Sequence, residues 1–84
     1  MPAPRVTVYT TPTCSRCDLT KKAFTKAGVP FDIIDVSENE QALEMVKALG
    51  HSSAPVVVVE GIENWSGFRP DHIARTASLF AVKA

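Results

Sequence analysis

The chain has 84 residues, 45% of them hydrophobic, and no net charge at pH 7. That is enough for one small packed domain, residues 1–84, with no room for a second. No apolar run approaches the ~18 residues of a membrane span, the start Met1-Pro2-Ala3-Pro4-Arg5 lacks the apolar centre of a signal peptide, and no sustained basic face offers itself to nucleic acid.

Arg5 to Thr10 carries Val6, Val8 and Tyr9 among threonines, a β-rich run that stops at Thr11-Pro12 and predicts a first strand. From Cys14 to Ala27, Leu19, Ala23, Phe24 and Ala27 recur as an apolar stripe and Gly28 ends it, which predicts an amphipathic helix. Thr13 is placed to cap that helix through its hydroxyl. Phe31 to Val36 reads as a second strand, and its arrival after a helix predicts a parallel β-α-β unit. Ser37-Glu38-Asn39-Glu40 fits a capping box, so a second helix follows with Ala42, Leu43, Val46 and Leu49 on one face and Gly50 at its end. The four valines from Val56 to Val59 predict a strand buried on both faces, joined through Glu60-Gly61 to Ile62 to Trp65 as an antiparallel hairpin. Pro70 suits a first helical turn, Asp71 the positive end of its dipole, and Ile73, Ala77 and Phe80 share one side of a last helix.

Charge is distributed unevenly along this order. Residues 1–29 carry five basic and one acidic side chain, residues 30–64 one basic and seven acidic, and residues 65–84 are net +2. The alternation either solvates helix faces or gives the molecule a polar axis that orients it on a charged partner.

The two cysteines, Cys14 and Cys17, stand three positions apart. A bridge between them would close too small a loop to serve as a structural staple. On a helix, positions i and i+3 share a face, so the two sulfurs can join and separate without backbone rearrangement. Cys14 falls where unpaired amides and the helix dipole favour an anion. It is therefore assigned as the nucleophile on a partner disulfide, and Cys17 as the thiol that resolves the mixed disulfide. Arg16, between them, either assists a thiolate or touches the partner. Tetrahedral zinc takes four ligands, and the only histidines, His51 and His72, lie 21 residues apart in different elements, so no metal site is expected. Ser53-Ala54-Pro55 leads into the valine strand, where a proline forfeits a ladder donor. A cis Ala54–Pro55 bond would leave the Ala54 backbone free to pair with an extended substrate segment.

A Cys-x-x-Cys pair at a strand-to-helix junction, followed by a proline before the third strand, resembles the thioredoxin and glutaredoxin superfamily. More narrowly, Trp65-Ser66-Gly67-Phe68-Arg69-Pro70-Asp71, with Val8-Tyr9-Thr10 and Ala54-Pro55-Val56-Val57, resembles the NrdH-redoxins, glutaredoxin-like electron donors to ribonucleotide reductase. The resemblance implies a minimal thioredoxin fold, α/β with the order β-α-β-α-β-β-α and a four-stranded mixed sheet flanked by helices, in which Pro55 is cis. With no membrane span or signal peptide evident and a close cysteine pair of the kind used in a reducing compartment, the chain is expected in the cytoplasm, as a monomer without bound cofactor. The Cys14–Cys17 disulfide would be re-reduced by NADPH through thioredoxin reductase, and electrons passed to a class Ib ribonucleotide reductase or another protein disulfide. In that family the tryptophan segment is a hydrogen-bonded loop where glutaredoxins hold glutathione. It marks Trp65, Ser66, Gly67, Phe68 and Arg69 as structural or partner-facing, beside Thr13, Arg16, Ser53, Ala54 and Pro55. Arg16 stands where the family usually carries Gln, and Thr11 where Lys is frequent. Outside this reading stand a glutathione-dependent glutaredoxin, a dimeric metal or iron–sulfur module, and a redox-sensing interaction domain.

Overall fold

The computed structural model describes residues 4–80. The start Met1-Pro2-Ala3 and the charge at Lys83 lie outside the described residues. Strand β1 (Val6–Thr10) leads into helix α1 (Ser15–Ala27), strand β2 (Asp32–Asp35), a short 3-10 turn (Val36–Glu38), helix α2 (Glu40–Ala48), strands β3 (Val56–Val59) and β4 (Glu63–Ser66), and helix α3 (Pro70–Phe80). The sheet order is β2-β1-β3-β4. β1 and β2 are parallel, while β1–β3 and β3–β4 are antiparallel. This is the expected β-α-β-α-β-β-α thioredoxin-like fold with a mixed sheet.

Strand alternation sends successive side chains to opposite faces, and the four valines of β3 divide accordingly. Val57 and Val59 join Val6, Val8, Phe24, Val29, Trp65 and Ile73 in one apolar cluster. Val56 joins Val36, Ala42 and Val46 in a second cluster against which Val58 packs. The first cluster unites the sheet with α1 and α3, the second unites it with α2. A strand covered on both faces accounts for an unbroken valine run.

Three local expectations are corrected. Helix α1 buries Cys17, Thr20 and Phe24, whereas Leu19 is 48% exposed and Ala27 is exposed: the inward face is set by the need to seat Cys17, and the leucine rotates outward with it. Helix α2 starts at Glu40, not after Ser37, and its N-cap is Asn39, whose Oδ1 accepts from the Ala42 amide at 2.9 Å. Ser37 belongs to the 3-10 turn, where its amide and hydroxyl both donate to Asp35 Oδ1. The second strand is shorter than Phe31 to Val36, because Val36 turns into that 3-10 segment. At the other end of α1, Gly28 takes φ +77° and its amide and that of Val29 return to the carbonyls of Thr25 and Phe24, a left-handed helix end that glycine adopts without steric penalty.

Candidate active site

The loop after β1 delivers Cys14 to the first turn of α1. Cys14 and Cys17 are joined as a disulfide with Cα atoms 5.2 Å apart, an ordinary separation for such a bridge. Their surroundings differ sharply. Cys14 is half-buried at the surface, whereas Cys17 is 1% exposed.

Cys14, not Thr13, caps the helix: its Sγ accepts from the Cys17 amide at 3.1 Å. The expectation for Thr13 fails because its backbone sits at φ +53°, a region β-branched residues avoid, and its hydroxyl turns back to donate to the Pro12 carbonyl at 2.6 Å. The cap geometry has a chemical consequence. When the bridge opens, the Cys17 amide is already aimed at Cys14 Sγ, and a helix N-terminus favours negative charge there.

Opposite Cys14 runs the segment before β3. The Ala54–Pro55 peptide bond is cis. A groove between the two segments is lined by Thr11, Thr13, Cys14, Ser15, Arg16, Ser53 and Ala54, so the structure brings together Thr13, Cys14, Arg16, Ser53 and Ala54. Pro55 lies buried beneath it. Through Thr11, Ser53 and Ala54 the groove continues into an apolar cavity of about 120 Å³ under α2, walled by Tyr9, Val36, Leu43, Val46 and Val56, with Lys47 and His51 among its lining. Tyr9 donates to Met45 Sδ at 3.9 Å, and burial, aided by the charge of Glu60, pushes its phenol up so that it stays neutral. Lys47 belongs to no motif of the sequence. The available signal was that it is the lone basic residue of the acidic 30–64 stretch.

The tryptophan segment divides by residue. Trp65 is 4% exposed and stacks on the His72 ring at 4.8 Å, and Phe68 packs against the same core cluster. Ser66 pairs with Val56 across the sheet, and the Gly67 amide donates to the Pro55 carbonyl at 2.8 Å, tying this segment to the groove wall. Arg69 is exposed and bonds Asp71 at 3.2 Å. Behind Trp65, Glu63 accepts from Arg75 at 3.3 Å and lies 2.9 Å from His72 Nδ1. Burial alone would raise Glu63, but the hydrogen bonds and charges of Arg75 and His72 outweigh it and hold the carboxyl below its ordinary range.

Among the described residues no group of three or more His, Cys, Asp or Glu converges as a metal site, and no helix is long and apolar enough to cross a membrane. The arrangement suits thiol–disulfide exchange: an accessible sulfur beside a helix N-terminus, a second sulfur buried beneath it, and an open groove for a partner chain.

Comparisons with known proteins agree with this geometry. The glutaredoxin family profile matches residues 6–62. The glutaredoxin-like protein NrdH of Escherichia coli is 42% identical over 71 residues, 84% of this chain and 86% of that protein, and that of Lactococcus lactis is 35% identical over 72 residues, covering 86% and 99%. The solved structure of the E. coli NrdH-redoxin, described as having a thioredoxin-like activity profile, superposes with a TM-score of 0.80 over 84% of this chain and 92% of that one. A glutaredoxin from Archaeoglobus fulgidus, 26% identical, superposes with a TM-score of 0.75 over 87% and 85%.

Proposed function

Because the chain belongs to the glutaredoxin family and, within it, to the glutaredoxin-like NrdH proteins, we propose that this redoxin reduces disulfides in partner proteins. It serves as an electron donor to a class Ib ribonucleotide reductase and is itself re-reduced by thioredoxin reductase with NADPH in the cytoplasm, acting as a monomer. The observation that carries the reading is the pairing of a half-buried Cys14 with a 1% exposed Cys17 at the mouth of an open groove. An exposed sulfur meets the partner and a sheltered one releases it.

A reductase-fed donor, rather than a glutathione-fed one, is supported by the Trp65–Asp71 segment. In this chain it is fixed by the Gly67–Pro55 and Arg69–Asp71 hydrogen bonds, the position implied by family resemblance to be the glutathione site of glutaredoxins. Thr13, Arg16, Ser53, Ala54 and Arg69 contact the partner, while Pro55, Trp65, Ser66, Gly67 and Phe68 hold the wall they stand on. The test is reduction of insulin disulfides with NADPH and thioredoxin reductase. Turnover there, with none from glutathione and glutathione reductase, supports the reading. Turnover with glutathione alone overturns it in favour of a glutathione-dependent glutaredoxin.

A further inference from the structure

Two side-chain atoms among the described residues are buried without a hydrogen-bond partner: Thr20 Oγ1 and Trp65 Nε1. The first lies one helical turn beyond Cys17. Thr20 is 0% exposed, and a buried hydroxyl left without a partner is unfavourable. A helical threonine ordinarily satisfies its hydroxyl by bonding the carbonyl four residues back. Thr76, equally buried in α3, does so, donating to the His72 carbonyl at 3.0 Å. Thr20 does not.

Residues i and i+3 share a helix face, and helical side chains lean toward the turn N-terminal to their own Cα. Thr20 therefore leans over the turn that holds Cys17, and both are buried on the face α1 turns to the core. The cluster which that face joins consists of Val6, Val8, Phe24, Val29, Val57, Val59, Trp65 and Ile73. Its members are all apolar side chains, and the charged neighbours on the helix itself, Asp18 and Lys21, pair with each other at 3.4 Å toward solvent. The sulfur of Cys17, held in the disulfide, needs no donor. As the thiolate that attacks Cys14, it does.

We propose that Thr20 is the hydrogen-bond donor to the sulfur of Cys17 in the reduced protein, and that it assists the resolving step. The inference rests on the dithiol reading above. In that step the Cys17 thiolate attacks Cys14 Sγ of the mixed disulfide. The Cys14–Cys17 bond forms, the bond from Cys14 to the partner sulfur breaks, and the partner leaves as a thiolate that takes up a proton from water. The proton lost by Cys17 passes to solvent, so two thiols of this chain are oxidised as one partner disulfide is reduced. A free hydroxyl one helical turn from Cys17, on the same buried face, can stabilise the attacking thiolate.

An aromatic disulfide such as Ellman's reagent separates the two steps, because Cys14 releases one coloured thiolate on attack and Cys17 a second on resolution. Thr20→Val, nearly isosteric, is expected to leave the first phase unchanged and slow the second about tenfold, the effect of losing one hydrogen bond to a charged sulfur. Thr20→Ser is expected to restore it. Equilibration with glutathione gives an independent readout: in Thr20→Val the ratio of oxidised to reduced protein rises, because only the reduced form loses a bond. Thr20→Ala, which cannot overpack, carries the same two expectations. Unchanged second phases in both the Val and Ala variants would overturn the proposal, as would a serine variant no faster than valine. Release of only one equivalent by the unaltered protein would instead overturn the dithiol reading.

Discussion

Cys14 and Cys17 are chemically identical and three residues apart, yet one is half-buried and the other 1% exposed. A partner sulfur can reach only the first. Cys17→Ser is therefore expected to trap a mixed disulfide on Cys14 in a native extract, while Cys14→Ser traps nothing. Adducts of equal yield from both variants, measured by non-reducing electrophoresis, would contradict the assignment. The bridged pair itself was legible in the sequence, because spacing and position at a strand-to-helix junction bear directly on sulfur chemistry. The cavity beside it was not: Tyr9 and Lys47 reach one wall only after the chain has folded over the sheet. Glu63 adds a prediction with a definite sign. Its folded-state carboxyl lies below its ordinary value, so its hydrogen bonds with Arg75 and His72 stabilise the fold above the ordinary carboxylate range and lose that contribution as pH falls through the lowered value. Glu63→Gln should thus lower the melting temperature at pH 7, by a stability difference of about 1 kcal/mol or less for so solvated a cluster, and the gap to the parent protein should close in acid.

At the scale of elements, the order and type of every strand and helix followed from periodicity and turn residues, and the errors cluster at helix N-termini and on one helix face. Ser37 and Asn39 compete for the same role, and both have the chemistry to cap. The 3-10 turn engages Ser37 with Asp35 and leaves Asn39 at the helix start. Asn39→Ala should consequently cost about 1 kcal/mol, and Ser37→Ala distinctly less, in urea unfolding curves. For α1 the hydrophobic stripe pointed to Leu19, but the helix has to seat Cys17 against the core, which brings Thr20 inward and turns Leu19 out. Phe24, which satisfies both constraints at 0% exposure, holds α1 to the sheet. Phe24→Ala is expected to destabilise the fold by about 3–5 kcal/mol, measured the same way, a large share of the stability of a domain this small.

Across the whole molecule, zero net charge conceals a local arrangement. The groove and the cavity that continues it are lined by Arg16 and Lys47 and by no carboxylate, and neither cation belongs to an ion pair among the described residues. A disulfide peptide flanked by aspartates should be reduced several-fold faster than one flanked by lysines at low ionic strength, with the difference vanishing as salt shortens the Debye length toward ~3 Å. Stopped-flow fluorescence measures it, and Arg16→Glu should reverse the preference. The mixed sheet itself was legible from the parallel unit and the hairpin, but its order was needed to see what each wall of the groove stands on. Ser53 and Ala54 precede β3, which is bonded to a strand on either side, whereas Thr13, Ser15 and Arg16 are exposed on the opposite wall. Behind the first wall, buried Pro55 leads directly into that strand. Substitutions at those three exposed positions of the second wall leave the core untouched, so the surface a partner meets can be rewritten while the buried Cys17 keeps its surroundings.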